Sequence, residues 1–186
     1  MLRKTLYLLF LIASSYLLGC HRDNKKNKHS NDNLTIINDT RTNSSATDVV
    51  ENTGRIKGLE TFAGLLIKAD LDETLKKPGP FTIFAPSNEA FNKLPQEFVH
   101  EITGEQKKDI TDLIGSHIVA GLLRTEDLKD GQKLQTLSGE ELIVSLKNNE
   151  PMINGVKISQ HDILSANGVI HIIDEVILAP DQKDKL

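Results

Sequence analysis

Few side chains in this 186-residue sequence can do covalent or proton-transfer chemistry, and their spacing narrows the choice further. There is one thiol, Cys20, which follows Leu17-Leu18-Gly19. Gly115-Ser116-His117 sets a hydroxyl beside an imidazole, but residues adjacent in sequence rarely reach the geometry in which one deprotonates the other. The Gly-x-Ser-x-Gly elbow of serine hydrolases does not occur. Neither His-x-x-x-His nor His-Glu-x-x-His occurs, and no Gly-rich phosphate loop is present. His21 and His29 lie in a polar tract that offers no fixed cage for a metal. The expectation is a protein without catalytic residues, metal or cofactor.

Cys20 finds its meaning in what precedes it. Arg3 and Lys4 form a short basic region, and Leu6–Leu18 is apolar apart from Ser14 and Ser15. That run is too short to span a bilayer, which takes roughly 20 apolar residues, but it suits the core of a secretory leader. Leu17-Leu18-Gly19-Cys20 resembles the lipobox of bacterial lipoproteins, where a small residue precedes a cysteine that is lipidated on sulfur. Residues 1–19 are then the leader, and Cys20 is the lipidation site. Acyl chains on one cysteine give a stable anchor where a single chain would not. His21 stands where an Asp would favour inner-membrane retention, so the expected place is the cell envelope, toward the outer membrane or cell surface.

From Cys20 to residue 50 the chain is rich in Asn, Asp, Lys, Ser and Thr and shows neither helix nor strand period. It reads as a disordered linker with a reach of about 30 Å. Residues 51–180 read as one folded domain, and 181–186 as a polar tail. Between Glu51 and Pro180 there are 13 Lys and Arg against 20 Asp and Glu, a net charge of −7. So acidic a domain repels a phosphate backbone, which excludes nucleic acid as a natural partner. With two Tyr, six Phe and no Trp, its core must be aliphatic, and little aromatic surface remains for self-association. A monomer is expected.

The domain changes character midway. Leu59, Phe62, Leu65, Leu66 and Ala69 recur at helical spacing. Pro78-Gly79-Pro80 breaks that pattern ahead of a buried strand, Phe81–Ala85, which Pro86 stops. Ser87 caps a short helix through Phe91, and Thr103 and Gln106 have capping-box spacing ahead of a helix over 105–115. Later come a hairpin, Leu134–Leu137 with Leu142–Leu146, a turn at Asn154-Gly155, and a β-branched run over Val169–Leu178. Gly168 is expected to supply a positive φ for the turn into that run. Helices first and strands later make the class α+β.

Two blocks in this layout, 79–91 (GPFTIFAPSNEAF) and 167–178 (NGVIHIIDEVIL), resemble the signature segments of the fasciclin, or FAS1, domain, and Thr136-Leu137-Ser138-Gly139 resembles its central turn. The resemblance implies one domain in which helices pack around a β wedge or sandwich. It also implies a surface or matrix protein that binds a protein or glycan. In the family, a Tyr-His pair near mid-domain and an Asp-Ile pair before the last strand are tied to partner binding. Here Ser116-His117 keeps only the His, while Asp162-Ile163 keeps the pair behind a divergent Gln160-His161. His117, Asp162 and Ile163 are therefore the candidate partner-binding residues. On chemistry alone, His117 suits a bond to a loose carbonyl at a helix end, and Asp162 suits an Asx cap. The competing readings are an inward-facing periplasmic scaffold or ligand-binding lipoprotein without adhesive role, and an unrecognised enzyme.

Overall fold

The computed structural model of the protein describes residues 47–104 and 107–178. The leader over 1–19, Cys20, nearly all of the linker, Gln106 and the tail over 181–186 lie outside the described residues. Helical structure is present before Glu51, where the hydrophobic pattern places the start of the domain. Helix α1 (Val49–Arg55) is N-capped by Asp48, whose carboxylate accepts from Glu51 N, and Thr47 O already accepts from Ala166 N at 2.7 Å.

Helices α2 (Glu60–Lys68) and α3 (Asp72–Leu75) follow, then strand β1 (Phe81–Pro86). Ser87 caps α4 (Asn88–Asn92) as expected, its Oγ accepting from Ala90 N. The next stretch departs from expectation. A helix, α5 (Gln96–Gly104), starts just past Pro95, and Thr103 lies inside it rather than capping its successor α6 (Lys107–Gly115). Proline tolerates the first turn of a helix because its missing N–H has no partner there anyway.

Six further strands complete one sheet: β2 (Ile118–Ala120), β3 (Lys133–Gln135), β4 (Glu141–Lys147), β5 (Glu150–Ile153), β6 (Val156–Ser165) and β7 (Gly168–Ile173). Their order is β2-β1-β7-β6-β5-β4-β3. The two edges curl toward one another: Val119 bridges Thr136, and Leu137 N donates to Ile118 O at 2.8 Å. The expected wedge is thus a near-barrel, and the curl shelters edges that would otherwise invite pairing. Among the described residues, no helix is long and apolar enough to cross a membrane.

Alternation along β1 and β7 divides the core in two. Ile83, Ala85, Ile170 and Ile172 face the helices, where they meet Phe62, Leu66 and Ile114. Phe84 and Ile173 face the inside of the curl with Leu142, Val144, Ile153 and Ile158. β1 and β7 run parallel in register from Phe81↔Gly168 to Pro86↔Ile173. Every residue of β7 is buried, as expected of a central strand covered on both faces.

Two local readings change. The β-branched run stops being strand at Ile173, and Val176–Leu178 instead buries its side chains against the two cores. Gly168 does not have a positive φ. It is glycine because of close approach: a Cβ there would sit 2.1 Å from Phe81 O and 2.9 Å from Val49 Cγ1. By contrast Asn154 (φ 50°) and Gly155 (φ 82°) form the expected left-handed turn between β5 and β6.

Candidate partner-binding site

The three candidate residues do not come together. His117 follows α6 and is wholly buried. Its Nδ1 donates to Leu113 O at 2.7 Å and its Nε2 accepts from Ile177 N at 3.0 Å, so one neutral tautomer uses both nitrogens. The ring also meets Phe62 edge-on at 5.9 Å. Burial pushes its pKa down to about 4, against a smaller upward pull from the Leu113 carbonyl. His117 therefore pins the C-terminal end of α6 to the segment after β7, and it is corrected from a contact residue to an internal one. Ser116 Oγ donates to the same Leu113 carbonyl at 2.7 Å. With Nδ1 already carrying its proton, the Ser116–His117 pair is not a nucleophile and its base.

Asp162 and Ile163 lie on β6, where the chain bulges. The register passes from Gln160↔Ile172 to Ile163↔Ile170, so His161 and Asp162 together oppose His171. Asp162 takes a φ of 60°, a conformation Asp tolerates better than most residues. Its carboxylate reaches out of the strand: Oδ1 accepts from Thr125 N at 2.9 Å, and Oδ2 meets His161 Nδ1 at 2.9 Å. Burial would raise the Asp162 pKa, but the Thr125 N–H and the His161 imidazole outweigh it and hold the pKa low. Asp162 thus caps a distant 3-10 turn, Thr125–Asp127, rather than its own. Ile163 is half-buried against the helical core, so it anchors the bulge and offers only an edge outward.

A shallow cleft of about 450 Å³ opens beside the bulge, lined by Arg124, Thr125, Glu126, Asp162 and Leu164. Leu164 is 39% exposed, and among the described residues Arg124 pairs loosely with Glu126 at 3.8 Å. The cleft thus offers an aliphatic contact, an available guanidinium and a fixed carboxylate on one ledge. The Arg124–Glu126 wall lies 36 residues or more before Asp162 in sequence, and no spacing signal marks it. Among the described residues, no cluster of three or more His, Cys, Asp or Glu gathers to hold a metal.

The family model described as Fasciclin domain matches residues 57–179. The chain belongs to the fasciclin-domain family. It is 30% identical over 172 residues to Protein sll1483 of Synechocystis sp., covering 92% of this chain and 94% of that one. It is 36% identical over 126 residues to human periostin, covering 67% of this chain and 15% of periostin. Pig transforming growth factor-beta-induced protein ig-h3 is 32% identical over 168 residues, which is 89% of this chain and 24% of the relative. The fold matches that of a FAS1 domain pair from the insect cell adhesion molecule fasciclin I with a TM-score of 0.59 at 16% identity, covering 74% of this chain and 52% of that one. FAS1 domains thus occur in a cell adhesion molecule, and the likeness to that pair shows the fold of this chain.

Proposed function

We propose that this protein is a lipid-anchored envelope protein that presents one FAS1 domain to a protein or glycan partner, with the ledge around Asp162 and Leu164 as the contact face. The observation that carries this reading is the β6 bulge. A strained residue costs stability and persists where its surroundings over-determine it, often at sites of recognition. Here Asp162 is held by Thr125 and His161 beside an exposed leucine and an available arginine. His117 takes no part in contact, since its ring lies wholly inside.

The anchor is supported by the lipobox resemblance at Cys20, the chain's single cysteine. Cells fed a clickable palmitate analogue are expected to label the wild-type chain, and Cys20→Ala is expected to lose the label and leave the membrane fraction. Label on the Cys20→Ala chain, or none on the wild type, contradicts the anchor. Protease shaving of intact cells then tests presentation: digestion of the domain supports outward display, and protection argues for an inward-facing scaffold.

A further inference from the structure

His171 sits directly behind the bulge. Because two residues of β6 oppose this one residue of β7, the Asp162 N–H takes the imidazole as its acceptor, donating to His171 Nδ1 at 3.3 Å. On the other side Nε2 donates to Leu123 O at 2.8 Å, in the segment that leads into Arg124 and Thr125. One neutral ring thus joins both walls of the cleft. It is fully buried and stacks on Phe84 with centroids 5.4 Å apart.

We propose that neutral His171 latches the Asp162–Ile163 bulge shut, and that the latch opens in acid when the ring takes a proton at Nδ1 from solvent. Protonation turns the acceptor into a donor, so that two N–H groups face one another. Either the bulge parts from the ring, or the Asp162 carboxylate leaves Thr125 N to pair with the imidazolium. The Asp162 N–H loses its acceptor in both cases, and Thr125 N–H loses its own in the second. The titratable and charged neighbours are few. On β6 they are Asp162, which favours the proton, and His161, which opposes it. The facing segment carries Arg124, Glu126 and Asp127, and β1 carries none. Burial dominates and holds the pKa of the ring below its ordinary 6.5. The contacts of the neutral ring are therefore intact above pH 6.5 and weaken as pH falls through the depressed folded value. His117 lies apart, against Phe62.

Loss of partner affinity in acid rests on the contact face proposed above; the latch itself does not. Hydrogen exchange on the full chain by NMR, from about pH 7.5 to about 4.5, reads the latch without any partner. Protection of the Asp162 amide, joined in the second case by that of Thr125, is expected to fall about tenfold per pH unit once pH drops below the folded pKa of His171, in step with the His171 ring signals, while β1 amides stay protected. His161→Gln should keep this behaviour and His171→Gln should abolish it. Unchanged protection while His171 titrates, loss in step with β1, or disappearance of the effect in His161→Gln each overturns the proposal. A latch that works in a protein whose ledge binds nothing upholds the inference and refutes the contact face.

Discussion

Gly168→Ala is expected to cost about 4 kcal/mol or more of folding stability, a large part of what a domain of this size possesses. The added methyl group would lie 2.1 Å from Phe81 O and 2.9 Å from Val49 Cγ1. Those atoms belong to the β1–β7 register and to α1, where the backbone is paired and Val49 is buried, so neither can move aside freely. The same substitution at Gly64 should do the reverse. Gly64 lies inside α2, where an added methyl group would meet nothing within 4 Å. Alanine there is expected to add about 0.5–1 kcal/mol. Urea unfolding of both variants beside the parent tests the pair. A Gly168→Ala stability within about 1 kcal/mol of the parent would show that the two strands are not held so close.

His117→Ala is expected to destabilise by about 3–5 kcal/mol. It empties a buried site and leaves the Ile177 N–H without an acceptor inside the protein. The imidazole also sets a pH dependence whose sign follows from its neutrality in the fold. Its folded pKa, about 4, lies below the ordinary 6.5, so the unfolded chain binds the proton more readily. The stabilisation is complete above pH 6.5 and is lost as pH falls toward 4, amounting to about 3 kcal/mol across that window. His171 acts in the same direction, and Asp162 adds its share only below the ordinary carboxylate value of 3.8. Replacing His117 with Leu should flatten the profile between pH 6.5 and 4, read as urea midpoints. An unflattened profile would mean that His117 does not carry the titration.

Much of this architecture is written in the residues because local and tertiary demands agree there. Ser87 is both the natural cap after Pro86 and the cap observed, and Asn154-Gly155 has the chemistry that its left-handed turn requires. Expectation and structure part where a residue carries two meanings. Gly168 looks like a turn glycine but is required by the neighbouring strand. Thr103 and Gln106 have the spacing of a cap, yet the helix that starts past Pro95 runs through Thr103. The site was less legible than the fold. The chemistry of His117 suits interior bonding while the family resemblance suggests contact, and burial decides for the interior. The Asp162–Thr125 bond and the His171 latch join segments 37 and 48 residues apart, which no local pattern announces.

The central claim is that the ledge at the β6 bulge meets another macromolecule, and photo-crosslinking from position 161 in the full chain, on the cells that make it, tests this most directly. One discrete adduct is predicted, lost when Leu164→Glu is added and kept when Ile67→Glu alters the exposed side of α2. An adduct unaffected by Leu164→Glu, or one that forms as readily from position 67 as from 161, would contradict the account.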